Sequence, residues 1–126
     1  MFVQCEDCKQ RFDISPDGMV VHKREFKDNG KSIFLTYYDC PNCARRHYVQ
    51  IDDQISLAKM KRVNATFVKL SIAKRKGKTI SEKQQAKFKK ARENLSNYRI
   101  YLMKSYTGKS FYDDETDSNF VLRFSV

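Results

Sequence analysis

The stretches that decide the fold are CEDC at residues 5–8 and CPNC at residues 40–43, which together hold all four cysteines of the 126-residue chain. In each stretch two residues separate the thiols, a spacing that lets both sulfurs of one tight turn bind the same small cation. Two such turns supply the four thiolate ligands of a closed tetrahedral zinc site. The sequence therefore predicts one structural Zn²⁺ ion held by Cys5, Cys8, Cys40 and Cys43.

A β-hairpin is predicted between the two cysteine pairs. The segment DNGK at 28–31 contains Asn29 and Gly30, which tolerate the positive φ angles of a tight turn, and the runs on either side are rich in Val, Ile, Phe and Tyr. A further strand is expected over 45–51. The prediction for residues 1–52 is a zinc ribbon, in which two cysteine turns face each other across a small antiparallel sheet.

Disulfide bonds are the alternative use of the four cysteines. They belong to oxidising compartments, whereas residues 1–4 lead into the first cysteine pair without the features of a signal peptide. No apolar run is long enough to span a bilayer, so we expect a cytoplasmic protein without membrane contact. His47 could replace a thiol as a ligand, although with four thiols present it is expected to be a strand or surface residue.

From Asp53 onward the apolar residues recur at intervals of three and four, which indicates helices. Asp52 and Asp53 fit the start of a first helix, and Gly77 fits its end. A second helix is predicted to begin at Ser81, in a capping box with Gln84, and to stop near Gly108.

The short link between the two helices predicts an antiparallel helical hairpin over 53–108. Its two apolar stripes are expected to pack against each other through six side chains, which are Val63, Phe67 and Leu70 on the first helix and Leu95, Tyr98 and Leu102 on the second. Neither stripe needs a cofactor to explain it.

The last segment, 109–126, combines an acidic run with an apolar stretch. DDETD at 113–117 is expected to be a solvated loop, with a metal site or a contact surface as the alternative, because adjacent carboxylates repel one another. NFVLRFSV at 119–126 predicts a C-terminal strand that packs on the rest. The predicted fold class is therefore α+β: zinc ribbon, helical hairpin and final strand.

Charge and motif content bear on function. The chain has 25 Lys and Arg against 15 Asp and Glu, a formal charge of +10, which favours a polyanionic partner such as nucleic acid, or an acidic protein surface. With the cysteines assigned to metal, the sequence has neither a Gly-rich phosphate loop nor a serine nucleophile motif. We predict a binding protein rather than an enzyme, with no small-molecule substrate.

Candidate partner contacts fall into two groups. The first is a run of cations at the turn between the helices, where like charges repel unless a counter-charge binds: Lys74, Arg75, Lys76 and Lys78. The second follows the last cysteine and mixes cations with an aromatic ring, as in surfaces that stack on bases or anchor a protein: Arg45, Arg46 and Tyr48. The alternative for the lysines is an ordinary solvated helix surface.

The motifs CEDC, RFDISP and YYDCPNCARRHYV, followed by a Lys-rich helical segment, resemble small zinc-ribbon proteins encoded by phages and prophages of Gram-positive bacteria. The resemblance covers about residues 1–78. From Ser81 onward the chain departs from the short form of that family, which suggests an added binding surface.

The resemblance implies a non-catalytic phage protein that acts by binding in the cytoplasm of the host cell. Some type II anti-CRISPR proteins look similar in being small and zinc-stabilised. The first function implied is therefore inhibition of an RNA-guided type II CRISPR nuclease, with that host nuclease as the protein partner. The alternative is a basic zinc-ribbon regulator or accessory factor that binds nucleic acid.

Overall fold

A computed structural model describes residues 2–13 and 21–124, and its α+β class is the one predicted. The chain divides into two compact units. We call Met1–Ile51 together with Met103–Val126 the cysteine unit, and Asp52–Leu102 the hairpin unit.

The cysteine unit is built from antiparallel strand pairs. β1 (Phe2–Gln4) pairs with β2 (Arg11–Asp13). β3 (His22–Asp28), β4 (Lys31–Asp39) and β5 (Arg46–Asp53, whose last two residues belong to the hairpin unit) form a three-stranded antiparallel sheet in that order. β6 (Ser110–Asp113) and β7 (Ser118–Val121) form a C-terminal hairpin.

The turn between β3 and β4 confirms the predicted hairpin. Asp28 lies opposite Lys31, so that only Asn29 and Gly30 make the turn. Their φ angles are 48° and 83°. Positive φ at both central residues gives a turn whose twist matches that of the paired strands, which is why Asn-Gly at this position specifies the register.

Alternate residues of β4 form the centre of the core in the cysteine unit. Ile33, Leu35 and Tyr37 are each at most 3% exposed. The C-terminal hairpin packs on this sheet, because the Phe120 ring lies 5.5 Å from that of Phe26 and 5.2 Å from that of Tyr48. Each fully buried apolar side chain contributes about 1.5–3 kcal/mol.

The C-terminal strand differs in extent from the prediction. β7 ends at Val121, and Leu122 is fully buried. The backbone of Leu122 accepts a hydrogen bond from Gly108 and donates one to Lys109, both at 2.8 Å, which ties it to the residues that follow the last helix. A single parallel bridge then joins Phe124 to Tyr48.

The acidic run is not a solvated loop throughout, which corrects the expectation from the sequence. Asp113 is 3% exposed, and Nη1 of Arg24 donates to both of its carboxylate oxygens at 3.0 Å, while Nη1 of Arg46 lies 3.4 Å away. Burial alone raises the pKa of Asp113, but hydrogen bonds from Arg24 and from the Glu115 backbone lower it, and the net shift is downward. The exposed carboxylate of Asp114 also pairs with Arg24.

Two long helices form the hairpin unit; the start of the first near Asp53 and the capping box of the second are as predicted, whereas the capping box of the first was not foreseen from the sequence. α1 (Gln54–Arg75) begins at the N-cap Asp53, whose side chain and that of Ser56 bond each other's backbone N–H groups in a capping box. α2 (Glu82–Tyr106, whose last four residues belong to the cysteine unit) follows a second capping box of Ser81 and Gln84. Neither helix is apolar enough to cross a membrane, and the described residues contain no other that qualifies.

Polar contacts at one end of the hairpin show that the helices are antiparallel. The start of α1 meets the end of α2, where Nε of Arg99 donates to the fully buried Asp52 at 2.9 Å and the hydroxyl of Tyr98 donates to Asp53. Farther along, the rings of Phe67 and Phe88 lie 6.1 Å apart. A charge-assisted clamp therefore holds the end of the hairpin at which α1 begins.

The predicted seam between the helices is only partly correct. Leu95 and Leu102 are buried, as expected. The ring of Phe67 does contact the second helix, beside Phe88, but it is 57% exposed and lies at the edge of the seam instead of being buried in it. Two packed helices bury only the side chains in the one seam between them, so a ring at the edge of that seam stays largely exposed. The Phe67 ring is therefore a surface feature.

We predict that Asp113→Asn lowers the stability of the protein by about 3 kcal/mol, because it removes the buried negative charge that two partly buried guanidinium groups share. The measurement is denaturant unfolding of metal-loaded protein. Asp114→Asn is the matched control, since Asp114 pairs with the same Arg24 but is 83% exposed, and we expect it to cost less than about 1 kcal/mol. Equal losses in the two variants would contradict the structural role of Asp113.

Candidate metal centre

Each Cys-X-X-Cys pair forms the turn of a β-hairpin. The first lies between β1 and β2, where the N–H of Lys9 donates to the carbonyl of Cys5 at 2.8 Å and the N–H of Cys5 donates to the carbonyl of Gln10 at 3.0 Å. These two hydrogen bonds fix a tight turn that brings the sulfurs of Cys5 and Cys8 to the same side. The backbone conformation therefore allows both thiols to bind one ligand.

The second turn, between β4 and β5, repeats the first. The N–H of Ala44 donates to the carbonyl of Cys40, and the N–H of Cys40 donates to the carbonyl of Arg45, both at 2.8 Å. Lys9 and Ala44 occupy equivalent positions, with φ angles of 64° and 61°. The left-handed conformation costs a residue with a Cβ about 1–2 kcal/mol, so both turns adopt it at the expense of stability.

The two turns bring the four sulfurs into one cluster. Sγ of Cys5 lies 3.6 Å from Sγ of Cys43, and Sγ of Cys8 lies 3.6 Å from Sγ of Cys40. The cluster as a whole has separations of 3.5–3.8 Å, and none of the four thiols is in a disulfide. Sulfurs about 2.3 Å from a central ion at tetrahedral corners would be about 3.8 Å apart. The four cysteines can therefore hold one metal ion, as the spacing predicted.

The thiols of the cluster differ in their readiness to ionise. A hydrogen bond from the Asn42 side chain, followed by one from the Gln10 backbone, lowers the pKa of Cys8 to about 6. The pKa of Cys43 is raised to about 12, because desolvation and the neighbouring thiols outweigh a backbone hydrogen bond from Arg45. A metal ion binds thiolates, so its binding must release protons from the cluster, which makes metal affinity dependent on pH.

His47 lies beside the sulfur cluster, a location that the sequence predicted only in part. It lies on β5, as expected, but it is 4% exposed and its Nε2 is 3.4 Å from Sγ of Cys5. Its ring stacks on Tyr38, with centroids 5.2 Å apart. With Asp7, the pair Cys5 and His47 forms a second group whose ligand atoms lie close together. The position of His47 four residues after the last cysteine, at the start of the returning strand, was the available signal.

The predicted partner contacts beside the second turn have structural partners. Arg46 stacks on Tyr37 at 4.0 Å and pairs with Asp39 at 3.0 Å, in addition to its contact with Asp113. Tyr48 is 8% exposed. Of these three residues, only Arg45 extends into solvent, where it pairs with Asp7 at 3.2 Å. The structure therefore gives Arg46 and Tyr48 roles in the core of the cysteine unit.

The cations between the helices lie together, at the C-terminus of α1 and in the turn that follows. All four are exposed, and none forms an ion pair with any of the residues that the structure describes: Lys74, Arg75, Lys76 and Lys78. The first two lie in the last helical turn, where cations interact favourably with the helix dipole. That interaction offsets part of the repulsion within the run.

The chain matches no protein-family model, no curated protein and no solved structure at a significant level.

We predict that His47→Ala weakens metal binding about 10–100-fold while leaving one binding site per chain, because Nε2 of His47 lies 3.4 Å from Sγ of Cys5 and, when protonated, would stabilise the metal-bound thiolate. A competition titration against a chromophoric chelator measures this affinity. His22→Ala is the matched control, since His22 also stacks on a tyrosine, with 5.3 Å between the rings of His22 and Tyr37, but is exposed and is expected to leave the affinity unchanged. Complete loss of the metal from the His47 variant would instead identify this imidazole as a ligand.

Proposed function

We propose that the protein is a zinc-stabilised nucleic-acid-binding protein, in which the cysteine unit is the scaffold and the hairpin unit is the contact surface. The observation that carries the proposal is the distribution of charge. Asp52–Leu102 contains 14 Lys and Arg against 4 Asp and Glu, a net charge of +10, whereas the rest of the chain contains 11 of each and is neutral.

Zinc is the metal that best fits the cluster. Four thiolates at tetrahedral separations are the donor set of structural zinc sites, and two cysteine turns on neighbouring hairpins are the arrangement of a zinc ribbon. Four sulfurs fill the coordination sphere of such an ion and leave no position for water or substrate. The proposed role of the metal is therefore to stabilise the fold, and we propose no catalytic activity.

The hairpin unit has the properties of a surface that binds phosphates. Its lysines and arginines project from two solvated helices, and the densest run lies in and around the inter-helix turn, without counter-charges among the described residues. Polyanions attract such a surface over a distance of roughly 10 Å at moderate salt, and binding releases the counterions that surround the phosphates. Phosphate binding therefore needs no base-reading motif.

Inhibition of an RNA-guided nuclease remains the second proposal, and the resemblance to phage proteins supports it. The nucleic-acid channel of such a nuclease is positively charged, so a hairpin with a charge of +10 would be repelled from an empty channel. An inhibitor of this kind would have to bind an acidic surface of the nuclease, or its guide RNA. For this reason we place direct nucleic-acid binding first.

For the metal, we predict one equivalent of zinc per chain in protein purified without chelators. The two strands of the first hairpin have three residues each, too few to form a stable sheet alone, so removal of zinc should unfold the part of the chain around Cys5 and Cys8. Metal analysis and circular dichroism before and after chelation measure both effects. Less than half an equivalent of zinc, with no refolding on zinc addition, would exclude the proposed centre.

For the hairpin unit, we predict that binding to a labelled 20-nucleotide strand weakens about 10³-fold or more as salt rises from 50 to 200 mM, as expected for six or more phosphate contacts. The double variant Lys76→Glu/Lys78→Glu should bind less tightly and with a salt slope smaller by about 2. Lys31→Glu/Arg123→Glu makes the same charge change at exposed positions of the cysteine unit and should bind as the parent does. Equal effects of the two variants would contradict the assignment of the surface.

The two proposals are separated by a DNA-cleavage assay with a panel of type II RNA-guided nucleases at fixed guide and target. Direct nucleic-acid binding predicts that any loss of cleavage disappears when excess unrelated DNA is added. Inhibition that persists in that excess, from a protein that fails to bind free DNA or RNA, would overturn the first proposal in favour of the second.

A further inference from the structure

The hairpin unit exposes an aromatic ring within its strongly basic segment. The side chain of Phe67 on α1 is 57% exposed, and its ring lies 6.1 Å from the half-buried ring of Phe88 on α2, with 35° between the two planes. The guanidinium group of Arg92 lies 5.7 Å from the centre of the Phe88 ring. Each helix thus contributes one ring to a pair that is open to solvent on the side of Phe67.

The sequence that contains this pair is strongly basic. The segment 59–92 contains 13 Lys and Arg and a single acidic residue, Glu82. Exposing most of a phenylalanine ring in a helix forgoes the stabilisation that its burial would give. A surface that combines exposed cations with an exposed ring can bind phosphates through the cations and stack the face of another ring on its own ring.

We infer that Phe67, supported by Phe88, is a stacking platform for unpaired bases, and that the hairpin unit prefers single-stranded to double-stranded nucleic acid. This inference rests on the proposed function. The cations hold the phosphate backbone, and the ring receives a base whose face is accessible only when it is unpaired and unstacked. Within a duplex the base faces are covered by their neighbours, so the same ring would gain nothing there.

Other occupants fit the surface less well. A second copy of this chain would bring two segments of the same strong positive charge together, which repel each other. A membrane surface requires apolar side chains on one face of a helix and cations on the other, whereas α1 shows almost no such separation. Charge complementarity together with an exposed ring favours a single strand of nucleic acid.

The first test compares the binding of labelled dT20 and of a 20-base-pair duplex by fluorescence anisotropy at one salt concentration. We expect Phe67→Ala to weaken dT20 binding about 5- to 150-fold, the effect of losing one stacked base, with little change for the duplex. Val68→Ala is the matched control, because Val68 is 51% exposed and adjacent but has no ring, and it should bind dT20 as the parent does. The salt slope should be the same in all three proteins.

The second test uses the absence of tryptophan from the chain. Phe67→Trp introduces a single indole at the platform, and its fluorescence should be quenched by dT20 but not by a 20-mer of abasic sites, which supplies the same phosphates without bases. Quenching reports contact with bases even if the alanine variant is unstable.

These measurements test the stacking platform separately from nucleic-acid binding. Unchanged dT20 affinity in Phe67→Ala, or equal quenching by dT20 and the abasic strand, overturns the stacking platform, while salt-dependent binding would still support the nucleic-acid function. Failure of the parent to bind dT20, the duplex and the abasic strand overturns both. Tighter binding to vesicles rich in phosphatidylserine than to dT20 also overturns the platform, in favour of a lipid surface.

Discussion

The separation of four sulfur atoms is the constraint on which the cysteine unit depends. Residues 5–8 and 40–43 are far apart in the chain, and their thiols meet at 3.5–3.8 Å. If these thiols ionise, their negative charges repel one another at this distance and are partly removed from water. A cation among them compensates for both effects. The backbone adds to the cost, since Lys9 and Ala44 adopt the left-handed conformation that most residues avoid. A metal ion bound by the four cysteines, as proposed, would offset both costs.

The two units differ in burial and in charge. The neutral cysteine unit has the aromatic core, the buried ion pairs and the sulfur cluster, all of which hold the fold together. The hairpin unit is thinly buried, is clamped at one end by Asp52 and Arg99, and has the entire excess of positive charge. Like charges on such a surface repel one another, so the stability of the unit must come from its clamps and caps rather than from its surface.

Features specified by residues near one another in sequence could be predicted from the sequence. They include the two cysteine turns, the Asn29-Gly30 turn, the start of the first helix near Asp53 and the capping box at Ser81, because each depends on short-range geometry. The features that were missed depend on partners distant in the chain. The acidic run gave no sign that Asp113 is buried against Arg24, and the helical spacing of Phe67 did not reveal that its ring lies at the edge of the seam. Spacing identifies a face of a helix, but only tertiary contacts decide what covers it.

The ion-pair cluster around Asp113 also limits how this protein can diverge. Arg24, Arg46 and Asp113 lie on three different strands, so no local pattern links them, yet each guanidinium group shares the same buried carboxylate. If the carboxylate alone is lost, the two guanidinium groups lose the buried acceptor that they share. If one arginine is lost, the buried carboxylate keeps fewer partners. In related sequences, positions 24, 46 and 113 are therefore expected to change together or not at all, which would appear as covariation among the three.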